Sequence, residues 1–201
     1  MTLPNQLTVL RIILSPIFLF LFLSEESLLK QISVVVFILA ALSDWYDGWL
    51  ARKFNYITSW GKFWDPLADK ILTSMAFIGF ALVDLVPFWM VIIIVGRDLL
   101  ITLLRIFADK KEYPFTTSYY AKWKTSLQMI FLYYLLVLFV AKNSPEIFGQ
   151  YSDIISALLD KDFVYYTMLL ITIITFHSGY LYVKQNWSII KKLFPFESKS
   201  L

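Results

Sequence analysis

The chain of 201 residues contains no cysteine, a single histidine at position 177, and few charged residues for its length. The absence of cysteine excludes disulfide frameworks, thiolate metal sites and cysteine nucleophiles, and one histidine cannot build a histidine-rich metal centre. Glycine and proline number six and seven, which excludes a collagen-like chain. Charged residues make up 16% and apolar residues 59%, whereas soluble domains have roughly 25% and 45–50%. The composition therefore predicts an all-α integral membrane protein.

Six apolar stretches are long enough to cross a bilayer as helices, for which about 20 residues are needed. They are approximately Leu7–Leu23, Gln31–Leu50, Asp65–Val83, Leu85–Ile106, Ala121–Ala141 and Phe163–Val183. We therefore predict a polytopic membrane protein with six transmembrane helices, formed by a single membrane-embedded domain over residues 1–201. We also predict a short N-terminal interfacial helix within Leu3–Arg11 and a polar tail from about residue 188.

Lysine and arginine are distributed unequally between the two ends of these spans. If both termini are cytoplasmic, fifteen of the basic residues fall on the inner side and three, Lys30, Lys142 and Lys161, fall on the outer side. Loops on the cytoplasmic side carry an excess of basic residues, so this distribution predicts that both termini are cytoplasmic. The lack of an Arg- and Ser-rich leader favours a bacterial plasma membrane over a mitochondrion.

In four of the predicted spans the uncharged run is only 12 or 13 residues long and ends at a charge inside the helix. These charges are Arg11, Asp44, Lys70 and Arg97. Charges at membrane depth face a bundle interior or a water-filled cavity, so we predict that four helices line a polar cavity open to the cytoplasm. The alternative is short helices in a thin bilayer whose ends snorkel, which suits Lys and Arg better than Asp.

Four aspartates lie at the facing ends of the second and third predicted spans. Asp44 and Asp47 are three residues apart and Asp65 and Asp69 are four apart, so each pair shares one face of its helix. The connection between the two spans is short, so the helices are antiparallel neighbours whose inner ends can meet. Four carboxylates without His or Cys suit Mg²⁺, Mn²⁺ or Ca²⁺, and can hold two such ions for phosphoryl displacement.

Small and basic residues flank these aspartates. Gly48 and Ala51 follow the first pair, and Gly61 precedes the second pair. Small side chains let a bulky ligand approach the backbone, although they also allow helices to pack closely. Arg52 and Lys70 supply positive charge for phosphate oxygens.

The spacing of these residues resembles, at every fixed position, the signature of the CDP-alcohol phosphatidyltransferases: Asp44-x2-Asp47-Gly48-x2-Ala51-Arg52-x8-Gly61-x3-Asp65-x3-Asp69. The resemblance implies a six-helix, commonly homodimeric membrane enzyme that displaces CMP from a CDP-linked lipid with an alcohol, near the cytoplasmic face. It implies that two divalent cations, Mg²⁺ or Mn²⁺, are held by Asp44, Asp47, Asp65 and Asp69, and that Asp69 is also the catalytic general base. It further implies a CDP site lined by Gly48, Ala51, Arg52 and Gly61.

A second group of basic residues bears on the identity of the acceptor alcohol. Arg97 and Arg105 are eight residues apart on the fourth predicted span and can face one cavity, and Lys122 and Lys124 begin the fifth. Arginine binds a phosphate with two parallel hydrogen bonds and lysine adds a point charge, so the group suits an anionic acceptor. The alternative is anchoring to anionic lipid headgroups.

Together with the N-terminal pattern Pro4-Asn-x2-Thr8-x2-Arg11, this group resembles the phosphatidylglycerophosphate synthase branch of the family, which usually has Arg-Glu where this chain has Arg97-Asp98. That resemblance implies transfer of a phosphatidyl group from CDP-diacylglycerol to sn-glycerol 3-phosphate. It implies an acceptor phosphate site made of Arg97, Arg105, Lys122, Lys124, Gln128 and Thr8. The expected partners are the two substrates, membrane lipid and a second copy of the chain, with no nucleic acid.

Two other interpretations stay open at this point. A sister transferase that uses phosphatidylglycerol, to make cardiolipin, or inositol phosphate would share the four aspartates. A cation or proton transporter could also carry intramembrane acids, but it would place them near the midplane and often shows an inverted repeat. His177, in the sixth predicted span, is predicted to make an interhelical hydrogen bond rather than to act in catalysis.

Overall fold

The computed structural model describes residues 3–54, 59–113, 115 and 119–193, and the part it describes contains helices and no strand. In chain order the helices are α1 (Leu3–Phe22), α2 (Ser27–Phe54), α3 (Ser59–Leu82), α4 (Phe88–Lys110), α5 (Tyr119–Lys142), α6 (Pro145–Phe148), α7 (Ser152–Leu158), α8 (Lys161–Gln185) and α9 (Trp187–Leu193). Within these helices, the side chains of residues 3, 4, 51, 52, 54, 59 and 62 lie outside the description.

Each of the six apolar stretches predicted from the sequence forms one long helix, namely α1 to α5 and α8. Local signals set several of their ends. The Asp160 carboxylate caps α8 by accepting a hydrogen bond from the backbone N–H of Phe163 at 2.9 Å. Pro87, with its φ of −63°, directly precedes α4, and Asp84 turns the chain before it with a φ of +55°. The prediction of an all-α fold is confirmed.

Four of the long helices are apolar enough over their length to cross a membrane: Asn5–Phe22, Ser27–Leu50, Tyr119–Lys142 and Lys161–Gln185. The chain is therefore a membrane protein. α3 and α4 are equally long, but every stretch of 18 residues within them contains at least three charged residues. The charges present in all of these stretches are Asp65, Asp69 and Lys70 in α3 and Arg97, Asp98 and Arg105 in α4.

The predicted N-terminal interfacial helix does not exist as a separate element, because α1 runs without interruption from Leu3 to Phe22. The reason is the buried face of α1. Asn5, Thr8 and Arg11 recur at helical spacing and are 8%, 0% and 0% exposed. Their polar groups are turned toward the helical bundle, and Leu3–Arg11 forms one helix with the first apolar stretch, so the prediction of a separate short helix was wrong.

The buried face of α1 changes from polar to apolar along the helix. After Thr8, Arg11 and Ser15 it continues with Phe18 and Phe22, all fully buried. Phe18 packs on Phe37 of α2 with ring centroids 5.1 Å apart, and Phe22 packs on Phe139 of α5 at 5.0 Å. One end of the bundle is therefore closed by aromatic rings, and the polar groups are gathered toward the other end.

Two regions between and after the long helices also have structure. α6 and α7, joined by a 3₁₀ turn at Gly149–Tyr151, fill the connection between α5 and α8. The segment predicted as a polar tail begins with α9, whose end is tied to the end of α4 by a hydrogen bond from Lys111 Nζ to the carbonyl oxygen of Leu193 at 3.1 Å.

Candidate active site

The two aspartates of α2 are held by an arginine from α1. Arg11 Nη2 donates a hydrogen bond to Asp47 Oδ2 at 2.7 Å, and Arg11 Nη1 lies 2.6 Å from Asp44 Oδ1 as an ion pair. Arg11 Nε also donates to the backbone oxygen of Ala40 at 3.3 Å. Arg11 is fully buried, whereas 44% of the Asp44 side chain is exposed. The guanidinium therefore neutralises the pair from the inside of the bundle, and Asp44 faces outward.

The two aspartates of α3 have different partners. Thr8 Oγ1, one turn before Arg11 on α1, donates a hydrogen bond to Asp65 Oδ1 at 2.6 Å. Asp69 Oδ2 lies 3.0 Å from Lys70 Nζ, and 39% of the Asp69 side chain is exposed. Residues of α1 thus bind one oxygen of each of three carboxylates, whereas Asp69 is contacted by Lys70 and is partly exposed.

The carboxylates of the two helices lie close enough to repel each other. Asp44 is within electrostatic range of both Asp65 and Asp69, and Asp47 is within range of Asp65. Four mutually repelling carboxylates offer hard oxygen donors, which is the donor set that Mg²⁺ and Mn²⁺ prefer. Among the described residues no three acidic side chains converge into a ready-made ligand group, and Arg11 and Thr8 each occupy oxygens of the carboxylates that could form one. The donor chemistry fits a hard divalent cation.

A cavity of about 630 Å³ opens beside Asp69, between α3, α4, α5 and α8. Cavities of this volume are typical of small-molecule sites. Three of the predicted acceptor residues, Arg97, Arg105 and Lys122, line its wall together with Asp69 and Lys70. The cavity therefore brings the predicted base and a group of basic side chains to one space.

Lys124 and Gln128, also predicted to bind the acceptor phosphate, point away from this cavity into the protein. Lys124 Nζ donates to Asp98 Oδ1 at 2.6 Å, and Gln128 Nε2 donates to Asp98 Oδ2 at 3.1 Å. All three residues are buried. Thr8 is likewise occupied by Asp65 rather than placed at the cavity wall.

The predicted CDP residues lie at the facing ends of α2 and α3. Gly48 is half-buried next to Asp47, and Gly61 is buried one turn before Asp65. Ala51 and Arg52 belong to α2, but their side chains lie outside the described residues. His177 is near enough to Tyr120 for a hydrogen bond between α5 and α8, with 3.3 Å between Tyr120 Oη and His177 Nδ1.

Four of the residues that shape this site were given no partner or binding role from the sequence. Arg11 was predicted to face the polar cavity, but its pairing with Asp44 and Asp47 was not predicted. Asp98 adjoins Arg97 and could have been recognised as its partner. Ser178 and Gly179, which contact Arg97 from α8, carried no signal because they are 81 or more residues away in the chain.

A model of the protein family described as CDP-alcohol phosphatidyltransferase matches residues 1–176 of the chain. The chain belongs to this family. A transporter is thereby excluded as its class. The matched residues contain the four aspartates and most of the cavity wall, so the site built above lies within the CDP-alcohol phosphatidyltransferase domain.

Several curated CDP-alcohol phosphatidyltransferases are similar over most of their length. The CDP-diacylglycerol–glycerol-3-phosphate 3-phosphatidyltransferase of Bacillus subtilis is 34% identical over 201 residues, covering 94% of this chain and 97% of the relative. The enzyme of the same name from Rickettsia typhi is 36% identical over 182 residues, covering 90% and 95%. That from Wigglesworthia glossinidia brevipalpis is 38% identical over 141 residues, covering 68% and 77%.

Proposed function

We propose that this enzyme transfers the phosphatidyl group of CDP-diacylglycerol to sn-glycerol 3-phosphate, giving phosphatidylglycerophosphate and CMP. The observation that carries the proposal is the cavity that places Asp69 beside Arg97, Arg105 and Lys122. A phosphate monoester with a free hydroxyl fits a space that has cations on its wall and a carboxylate at its edge. The names of the similar proteins support the same acceptor.

The reaction needs a base, a phosphate anchor and a stabilised leaving group. Asp69 takes the proton of the acceptor hydroxyl, and the resulting oxygen attacks the phosphorus that carries the diacylglycerol. As the new phosphorus–oxygen bond forms, the bond to the oxygen of CMP breaks and CMP leaves with the electron pair. Lys70 Nζ, 3.0 Å from Asp69 Oδ2, places a positive charge beside the carboxylate that accepts the proton.

Asp44, Asp47, Asp65 and Asp69 would hold the divalent cations that this chemistry requires, as Mg²⁺ or Mn²⁺. Bound there, two such ions supply charge stabilisation for the attacking and leaving oxygens. The chemistry of the donor set supports this role, since all four side chains are carboxylates. Gly48, Ala51, Arg52 and Gly61, which adjoin these aspartates in the chain, would line the CDP site.

The six predicted acceptor residues divide into two groups. Arg97, Arg105 and Lys122 contact the acceptor phosphate from the cavity wall. Lys124 and Gln128 act through Asp98, and Thr8 acts through Asp65. This division follows the side-chain contacts. Three of the six residues bind the acceptor phosphate directly, and the other three do not.

We place the enzyme in a bacterial plasma membrane with six spans, both termini in the cytoplasm and the active site at the cytoplasmic face. Fifteen of the eighteen basic residues then lie on the inner side. The charged residues of α3 and α4 that line the cavity instead of facing lipid are Asp69, Lys70, Arg97, Asp98 and Arg105. A homodimer is the expected assembly, and membrane lipid surrounds it.

The test is an acceptor assay with purified enzyme in detergent micelles containing CDP-diacylglycerol. Radiolabelled glycerol 3-phosphate should enter the lipid fraction, EDTA should stop the transfer, and added Mg²⁺ or Mn²⁺ should restore it. Inositol phosphate and phosphatidylglycerol are offered in parallel. Preferred incorporation of either of these would assign the enzyme to a sister transferase. Undiminished transfer in EDTA would show that the reaction does not need a divalent cation.

A further inference from the structure

Arg97 is held on two sides before any ligand reaches the cavity. Its Nη1 lies 3.0 Å from Asp98 Oδ1, and its Nη2 donates a hydrogen bond to Ser178 Oγ on α8 at 2.6 Å. Only 13% of the Arg97 side chain is exposed. The guanidinium is therefore fixed at the cavity wall.

The stem of Arg97 crosses α8 at Gly179. A Cβ atom added at Gly179 would lie 3.0 Å from Arg97 Cγ and 3.4 Å from Arg97 Nε. The first distance is shorter than ordinary van der Waals contact. Because the two ends of Arg97 are anchored, by its own helix and by Ser178, the stem cannot swing away without losing a hydrogen bond. The side-chain-free position on α8 is what lets Arg97 lie where it does.

Asp98, the second anchor of Arg97, is itself immobilised from a third helix. Lys124 and Gln128 of α5 each hold one of its carboxylate oxygens, at 2.6 and 3.1 Å. Asp98 and Ser178 are 7% and 3% exposed. Helices α4, α5 and α8 therefore meet in a buried polar network, and Arg97 and Asp98 are its members at the cavity wall.

We infer that Ser178 and Gly179 are positioning residues that orient the guanidinium of Arg97 for the phosphate group of the acceptor. Neither residue is among those lining the cavity, so each acts through Arg97. An arginine already held in its binding geometry loses little rotamer freedom when a phosphate arrives, which favours a phosphate-bearing alcohol over a neutral one. The inference rests on the proposed function, because it assumes that Arg97 binds the acceptor phosphate.

Two glycine-to-alanine variants test this with matched chemistry. Gly179→Ala adds a methyl group against the stem of Arg97. Gly96→Ala adds one beside Arg97 on α4, where a Cβ atom meets none of the described heavy atoms within 4 Å. Gly179→Ala should raise the KM for glycerol 3-phosphate by about tenfold or more, since small misplacements of a binding group have such effects. The KM for CDP-diacylglycerol should stay within about twofold of wild type, and Gly96→Ala should change neither constant.

Ser178→Ala is the second variant, because it removes only the hydroxyl and creates no clash. It should raise the same KM, and Ser178→Thr, which keeps a hydroxyl, should restore much of the difference. A double-mutant cycle completes the test. In an Arg97→Met background, Gly179→Ala should have no further effect on the KM for glycerol 3-phosphate, because the side chain it displaces is already gone.

The outcomes separate this inference from the proposed function. If Arg97→Met leaves the KM for glycerol 3-phosphate unchanged, the acceptor site itself is misplaced. If Arg97→Met raises it but Gly179→Ala and Ser178→Ala do not, the positioning role is overturned. Equal increases in both KM values, or an additive effect in the double variant, would also overturn it, since they indicate a general distortion of the bundle.

Discussion

Replacing Arg11 with methionine keeps an unbranched, buried side chain but removes the charge between two aspartates. Removing one partner of a buried ion pair costs about 3–5 kcal/mol, because the other charge stays buried and unpaired. The Asp47 side chain is 5% exposed, so without Arg11 it would be such a buried and unpaired charge. Asp44 is 44% exposed, so losing its ion pair should add less than about 1 kcal/mol. We expect Arg11→Met to lower the free energy of unfolding by about 4 kcal/mol.

The measurement is equilibrium denaturation of purified protein in detergent, followed by tryptophan fluorescence and performed in EDTA so that metal binding does not contribute. Leu10→Met on the exposed side of α1 is the control and should change the stability by less than about 0.5 kcal/mol. The double variant Arg11→Met/Asp47→Asn should be more stable than Arg11→Met alone, because asparagine removes the more buried of the two carboxylate charges that Arg11→Met leaves unpaired.

Two results would refute this reasoning. One is an unfolding free energy for Arg11→Met within about 1 kcal/mol of wild type, which would mean that the ion pair contributes no more than a surface pair. The other is a double variant that is less stable than the single one. In that case the cost would come from lost packing of the arginine stem and not from the stranded carboxylate.

Two other substitutions test the catalytic role of Asp69 and the structural role of Lys124. Asp69→Asn should lower kcat by at least about 100-fold, because it removes the base, and should leave the melting temperature near that of wild type, because the side chain is partly exposed. Turnover and melting curves are measured on the same preparation. Retained turnover would show that Asp69 is not the base. Lys124→Met should destabilise the protein by about 3 kcal/mol, because it takes one cation from the buried Asp98. Adding Asp98→Asn should recover part of that loss in denaturation curves, and a further loss instead would contradict the pairing.

Helical periodicity and charge placement were enough to predict the six long helices and the carboxylate pairs. Four of these helices carry an apolar run long enough to cross a bilayer, and the length of such a run does not depend on the neighbouring helices. The spacing of Asp44 with Asp47, and of Asp65 with Asp69, depends only on the geometry of one helix. Properties that are local in the chain were therefore accessible from the sequence.

The partners of individual polar groups were not accessible. Lys124 carries the same charge as Lys122 two residues earlier, but the helix turns one toward Asp98 and the other toward the cavity. Thr8 is separated by 57 residues from the carboxylate that it binds. Helix rotation and packing decide which basic side chain reaches a phosphate and which neutralises a buried acid. Neither the rotation nor the packing can be read from local patterns in a single sequence.

The charges on α3 and α4 also have a consequence for synthesis in the cell. A segment leaving the ribosome enters the lipid phase alone only if its own side chains favour that transfer, and each charged residue at the centre of a helix opposes insertion by about 2.5–3.5 kcal/mol. α3 and α4 follow one another closely and pack together. Given the six spans proposed above, the pair must be integrated as a hairpin against α1 and α2 already in place, so a nascent chain that lacks those first two helices should fail to retain it.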